Sequence, residues 1–438
     1  MEKKLTTGDI LGLGLLIFSF FLGAGNLIFP PVIGKLAGWH VGWAFSGFIL
    51  SSVLLPLIAL IAVAKRGSFR AMMTDLPKGL PLLSMLLIFS LIGPLLITPR
   101  TGLVAYEMAI KPWVSESYSQ AQGWSTAVFF LFTGLGCWSR GGLLDCIGKV
   151  VTPVFLALLL VLAIGLFWVP VVELSTPQGN YGNHPLTQGL LGGYQTMDTF
   201  GSLMFGTLII QILRDKGITK AEWHYRYLIG AGLIAATGLI VVYSSLFWLG
   251  ATSKVAAEQV QGGGQLLAAY VQALFGHWGQ GLLGIVMLLA CLTTAIGLLS
   301  GFSDYMANLT SWPYRFWLLL SSVISTVVAN LELTTLITIS QPIMLALYPP
   351  TILVTFLAFI RHKLVYPRLS YRLLLSVALL GGIVDALNGL GIDVSGLSFI
   401  PGFHQGLAWC LPSLGLTLLL YYLPQQRTTP QEASVISE

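Results

Sequence analysis

Apolar residues in this chain come in long unbroken runs rather than at the spacing of one buried face, and that feature decides most of what it can fold into. The runs fall at about 9–33, 40–64, 80–110, 124–138, 148–170, 189–213, 225–250, 279–307, 313–331, 334–360, 370–392 and 403–423, separated by charged or turn-rich punctuation. Most are near the roughly 20 residues that a helix needs to cross hydrocarbon. Only 9% of the 438 residues are charged and 55% are hydrophobic, whereas a soluble protein is about 25% charged. A soluble globular enzyme is therefore excluded, and little chain is left for an aqueous domain. The expectation is an all-α integral membrane protein with about 12 transmembrane helices and both termini on one side. The apolar stretch after Met1-Glu2-Lys3-Lys4 is too long for a signal-peptide core, so the first helix is expected to be retained.

Placement of the cations tests that topology. With alternate loops on opposite sides, Lys3, Lys4, Lys65, Arg66, Arg70, Lys78, Arg140, Lys149, Arg214, Lys216, Lys220, Arg226, Arg315, Arg361, Lys363, Arg368, Arg372 and Arg427 share the side of the termini. Lys35, Lys111 and Lys254 alone lie opposite, and Arg100 sits inside a span. Adding or removing a helix in the middle would destroy this bias, which puts the termini in the cytoplasm. A net charge of +5 built from so few charges does not suggest a nucleic-acid partner, and nothing in the chain points to an obligate protein partner. The segment 251–278 is the longest loop on the opposite side, with Leu266, Leu267, Tyr270, Val271, Leu274 and Phe275 at helical spacing. It reads equally as a lid over a pathway or as a helix resting on the membrane. The end, 424–438, is polar and is expected to be disordered.

Catalytic and metal templates are missing. The sequence has no HExxH and no GxSxG, and the 142–149 stretch departs from a P-loop in spacing and in having Val150 where Ser or Thr belongs. Cys137, Cys146, Cys291 and Cys410 are scattered among apolar residues without ligand spacing, and the histidines, His184 and His404 among them, show none either. Gly297 and Gly301 form a GxxxG that reads as tight helix packing. An enzyme is not expected, and no cofactor is implied.

Chemistry collects instead at two interruptions. The first run contains Gly23-Ala24-Gly25-Asn26 and then Phe29-Pro30-Pro31; the sixth contains Gly192-Gly193-Tyr194-Gln195-Thr196-Met197-Asp198-Thr199-Phe200-Gly201. Glycine and proline free backbone groups, which membranes tolerate only where they line a cavity or meet protein. Two broken helices five apart are what an inverted five-plus-five repeat predicts, with a site between them. That divides the chain into a first repeat, 8–170, a second, inverted repeat, 189–360, and two accessory C-terminal helices, 370–423. Half-helix amino ends offer N–H groups to an anion, and freed carbonyls can ligate a small cation.

Ionisable residues in spans face the interior or water. Arg100 and Glu107 are seven apart, on one helical face, and pair with each other or across to Asp198. Asp198, inside a break, is the strongest functional candidate; its alternative is a structural carboxyl. Asp304 and Asp385 read as capping or pairing residues, and Glu332 as a solvated one. Thr293 and Thr294 place two hydroxyls in mid-span. Opposite carbonyls freed near Gly23 they would complete a neutral oxygen shell suited to Na+, although such hydroxyls also bond to their own backbone.

Taken together, Gly23-Ala24-Gly25-Asn26 with Phe29-Pro30-Pro31, Gly93-Pro94-Leu95 leading to Thr98-Pro99-Arg100-Thr101, the sixth-run stretch from Gly193 to Gly201, Tyr348-Pro349-Pro350 and Gly406-Leu407-Ala408-Trp409 resemble the bacterial branched-chain amino acid:cation symporters. The resemblance covers nearly the whole chain. It implies the leucine-transporter fold and sodium-coupled uptake of leucine, isoleucine and valine across the bacterial inner membrane. It implies that Ala24 and Gly25 bind the substrate carboxylate, joined by Tyr106, and that Tyr194, Met197, Asp198 and Thr199 meet the amino group and side chain. It also implies one sodium ion among Ser19, Leu22, Thr293 and Thr294, and a second at Phe21 and Asn26. Asp198 departs from the neutral sixth-helix break of the best-known sodium-coupled members, which leaves stoichiometry open. Proton coupling through Asp198 or Glu107 is the competing reading within transport; an intramembrane enzyme or an ion channel is the competing class.

Overall fold

The structure is a computed structural model that describes residues 5–114, 120–138, 152–165, 174–252 and 263–422. The 142–149 stretch, Cys146, Lys254 and the polar end at 424–438 lie outside the described residues.

All regular structure among the described residues is helical, as the runs require, since in hydrocarbon each peptide group must find its partner within its own segment. Helix α1 (Thr7–Phe21) opens on a capping box: Asp9 N–H donates to the Thr6 side chain and the Asp9 carboxylate accepts from Thr6 N–H. It stops at Leu22-Gly23, and α2 (Ala24–Ala37) begins without a side-chain cap. Gly38, at φ 51, turns the chain into α3 (Val41–Ile49), which runs through a π-type turn into α4 (Leu55–Arg66). The short α5 (Phe69–Met72) leads to α6 (Leu80–Ser90), α7 (Ile97–Ala105), α8 (Ala121–Cys137) and α9 (Thr152–Gly165). The second half comprises α10 (Pro185–Tyr194), α11 (Asp198–Asp215), α12 (Ala221–Thr252), α13 (Gly263–Leu309), α14 (Tyr314–Val328), α15 (Leu333–Ile360), α16 (Pro367–Gly389) and α17 (Cys410–Tyr422).

Each apolar run of the sequence holds helix. By length and hydropathy, six helical segments can cross a bilayer, and a seventh if α10 and α11, bent by 43°, count as one span. The outward faces remain greasy: Leu83, Leu131 and Val323 are each at least 60% exposed, which water would penalise and lipid does not. Exposed tryptophans sit near helix ends at Trp39, Trp113, Trp124 and Trp312, the level at which their amphipathic rings meet headgroups.

Two features differ from the sequence reading. The third run is not one continuous helix: Gly93 has ψ −117 and Leu96 has φ −130, so α6 and α7 are separate rods. Pro94 and Pro99, which lack N–H donors, account for the break. The segment expected to be a lid or a surface helix is the amino-terminal part of α13, up to a kink at Gly276 (φ 59). Leu266, Leu267, Tyr270 and Val271 are buried against the bundle, and Gly263 and Gly264 abut Ile28 and Met108. Its buried face packs on protein. The core draws on both halves of the chain: α12 lies against α1 and α2, α11 against α4, and α13 against α7.

Candidate functional site

The break between α1 and α2 exposes backbone for two opposite purposes. Leu22 N–H and Gly23 N–H fold back onto the Phe18 and Phe21 carbonyls at 2.8 Å each. The uncapped first turn of α2 therefore points its N–H groups at the gap, with the positive end of the helix dipole behind them. Arg100 comes from α7 to the same place. A methyl group on Gly25 would stand 2.8 Å from Arg100 Nη2, so glycine is what lets the guanidinium approach the helix start. The side chain is 3% exposed, lies 5.5 Å from the centre of the Phe29 ring and donates from both terminal nitrogens to the Gln195 carbonyl at 3.2 Å. Its Nε has no partner among the described residues. Of the two pairings offered by the sequence, the one across to Asp198 has the opposite charges lining one cavity, while the hydrogen bonds of Arg100 go to a main-chain carbonyl of the second break. Glu107, in the π-type turn after α7, is only partly buried and is influenced by Lys111.

The second break runs from Gln195 to Met197. Met197 is the only non-glycine residue with positive φ among the described residues (φ 59, ψ 18), a conformation that L-residues adopt at a cost. It starts α11 at Asp198, whose carboxylate accepts from Asn26 Nδ2 at 2.6 Å. The same amide donates to the Tyr243 hydroxyl at 2.5 Å. One cavity joins Gly23, Ala24, Gly25, Asn26, Arg100 and Asp198. Its volume is about 20 Å³, room for roughly one water. Phe20, Phe21, Phe205, Ile97, Met197 and Leu298 form its apolar wall, with Phe20 and Phe205 stacked at 4.8 Å.

A cluster of neutral oxygens adjoins this cavity. Thr293 Oγ1 lies 3.0 Å from the Ala290 carbonyl of its own helix and 3.2 Å from the Ser19 carbonyl, and Thr294 Oγ1 lies 3.3 Å from the Ser19 carbonyl and 3.2 Å from that of Phe20. The contacts with Ser19 and Phe20 span from α13 to the end of α1, and Thr294 lines the cavity itself. No group of three His, Cys, Asp or Glu that could hold a metal occurs among the described residues, so a cation here would rest on hydroxyls and carbonyls.

Of the residues singled out in the sequence, Phe21, Ala24, Gly25, Asn26, Arg100, Met197, Asp198 and Thr294 line the cavity, and Ser19 and Thr293 border it. Leu22 is fully buried at the end of α1. Three others lie elsewhere. Tyr106 opens the turn after α7. Tyr194 stacks on Tyr348 at 4.3 Å, which places it against α15. Thr199 is buried on α11 outside the lining. Phe20, Tyr243, Gln195 and Phe205 were missed. Phe20 and Gln195 act through carbonyls that every residue has, and Tyr243 is one hydroxyl in an apolar run.

Chemically, the cavity offers N–H groups and a guanidinium to an anion, a carboxylate to a cation, and an aliphatic and aromatic wall. A small zwitterion with an apolar side chain matches that set.

Comparisons with known proteins agree in kind. A family model described as branched-chain amino acid transport protein matches residues 6–427. The branched-chain amino acid transport system 2 carrier protein of Pseudomonas aeruginosa is 41% identical over 418 residues, covering 94% of this chain and 95% of that protein. The branched-chain amino acid permease BrnQ of Escherichia coli is 35% identical over 429 residues, 96% of each chain. Permease BraB of Bacillus subtilis is 32% identical over 444 residues, 98% of this chain and 99% of that protein. Among solved structures, the manganese transporter of Eremococcus coleocola superposes with a TM-score of 0.61 at 15% identity over 96% of both chains. A nucleobase-cation-symport-1 family transporter in a closed conformation gives 0.54 at 12% identity, over 94% of this chain and 92% of that one. At such identities these two share the fold alone.

Proposed function

The chain belongs to the family of branched-chain amino acid transport proteins, multi-pass membrane carriers rather than enzymes, and we propose that it imports leucine, isoleucine and valine by sodium-coupled alternating access. The observation that carries the proposal is the convergence of three things in one buried place. These are the uncapped start of α2 with Arg100, the carboxylate of Asp198, and the neutral oxygens of Ser19, Phe20, Thr293 and Thr294. The N–H groups of Ala24 and Gly25 with Arg100 receive the substrate carboxylate. Asp198 receives the ammonium, and Phe20, Phe205, Met197 and Ile97 enclose the aliphatic side chain.

Sodium enters the oxygen cluster at the end of α1. There the hydroxyls of Thr293 and Thr294 turn their protons away from the carbonyls of Ser19 and Phe20, so that hydroxyl and carbonyl lone pairs both face the ion. An ion bound this way ties α13 to α1 beside the break, so it favours the conformation in which α2 faces the substrate. A ligand shifts such an equilibrium only by its preference for one state, which is why the ion must bind across two rods rather than on one. Twelve crossings, two inverted repeats and cytoplasmic termini in a bacterial inner membrane complete the proposal.

The test is uptake of radiolabelled leucine into proteoliposomes with sodium and proton gradients imposed separately. The expected result is accumulation driven by inward sodium at equal pH and none driven by a pH gradient alone. Accumulation on protons without sodium would replace this coupling with titration of Asp198, whose side chain has Asn26 as its hydrogen-bond donor.

A further inference from the structure

A second, larger opening lies away from the substrate cavity. It is a groove of about 500 Å³ between α5 and α6 on one side and α15 and α16 on the other. Phe69, Met73, Ile88 and Val354 form its buried floor. Its rim is exposed leucine: Leu80, Leu83, Leu87 and Leu379 are 42%, 60%, 44% and 38% exposed. In a bilayer such a rim faces acyl chains. From Arg372 to Leu379 on α16 the groove runs about 10 Å along the helix axis, so it descends from a helix end into the hydrocarbon.

One end is cationic. Arg372 is the charged residue in the lining. Arg368 lies four residues before it, on the same face of α16, and Lys78 falls between the lining residues Pro77 and Leu80. All three are exposed, and none has an ion-pair partner among the described residues. The nearby carboxylate is already taken: Asp75 accepts from Arg361 Nε at 2.5 Å and Nη2 at 3.0 Å. The mouth therefore holds uncompensated positive charge at the end of a lipid-facing apolar slot.

We propose that this groove is a binding site for an anionic phospholipid, with one acyl chain between α6 and α16 and the phosphate on Arg368, Arg372 and Lys78. A leucine slot alone accepts any acyl chain; the cations add a preference for headgroup charge. A basic group near a membrane surface is worth about 1 kcal/mol toward an anionic lipid, roughly a fivefold change in affinity per charge. The groove also touches parts that lead to the substrate cavity, since the chain runs from α6 through the Gly93 break into α7 and Arg100, and α15 carries Tyr348 against Tyr194.

The test uses the purified full-length carrier in detergent with phosphatidylglycerol or phosphatidylcholine of identical acyl chains, bound lipid being counted by native mass spectrometry. Phosphatidylglycerol is expected to bind at least about tenfold more tightly. The double variant Arg368→Gln with Arg372→Gln is expected to lose that preference while binding phosphatidylcholine as before. Ser376→Trp, which fills the groove, is expected to weaken both. Equal binding of the two lipids by the unaltered protein would overturn the assignment, as would unchanged phosphatidylglycerol binding in the double variant. A change of oligomeric state in Ser376→Trp with lipid binding intact would assign the groove to contact between copies instead.

Discussion

The two breaks that build the buried cavity solve one problem by opposite means. At the first, Gly23 has φ −98 and ψ −167, extended backbone open to any residue; what glycine provides there is space, since a methyl group would lie 3.0 Å from Thr294 Oγ1 and press on it. At the second, Met197 has φ 59, where glycine would be comfortable, yet a buried methionine occupies it. The first break thus trades side chain for close approach by α13 and its hydroxyls. The second accepts backbone strain to keep an apolar side chain in the cavity wall beside Asp198. The difference teaches that interruption alone does not define a role: one break is shaped to meet oxygens and the other to meet a charge and a hydrocarbon.

The largest effect should come from the charged break. Asp198→Asn removes the carboxylate facing Arg100 and the α2 amino end while keeping an acceptor for Asn26. Leucine uptake is expected to fall about a hundredfold, the scale of roughly 3 kcal/mol for unpairing a buried charge, with normal amounts of folded protein in the membrane. Leucine affinity equal to that of the unaltered protein would reassign Asp198 to structure and erase the contrast between the breaks.

An intermediate effect is expected at the neutral break. Thr294→Ala deletes one hydroxyl of four oxygens, a loss of about 1 kcal/mol, so the sodium concentration for half-maximal uptake should rise roughly five- to tenfold. Sodium dependence that does not move would remove the oxygen cluster from coupling.

The smallest effect tests strain. Met197→Gly should be more thermally stable than Met197→Ala by about 1 kcal/mol, since alanine retains the cost of left-handed backbone and glycine does not. In an ordinary helix interior that order is reversed. Alanine being the more stable would mean that the turn relaxes and stores no strain.

Much of this was legible in the sequence because glycine, proline and a charge inside an apolar run each carry a physical penalty that needs a local reason. Gly23 to Pro31 and Gly192 to Gly201 marked both breaks, and Asp198, Arg100 and Thr294 marked the cavity. Gly93-Pro94 was visible too, but with few polar neighbours it read as part of a span, and the rods α6 and α7 emerged only in three dimensions. Contacts made by main-chain atoms left no trace. The partner of Arg100 is the carbonyl of Gln195, and the second carbonyl at Thr294 belongs to Phe20; neither depends on side-chain identity. Tyr194 illustrates the reverse: its neighbourhood is polar in sequence, but its ring stacks on Tyr348 from a helix more than a hundred residues away, a contact that the sequence does not announce.

An arginine fork has only so many prongs. Arg100 spends two on a bent hinge, and the proposed function asks the same guanidinium to meet an amino acid's acid group. On the proposed function, cargo and hinge would draw on one planar resource, and loading the carrier would redistribute the grip on the bend between α10 and α11.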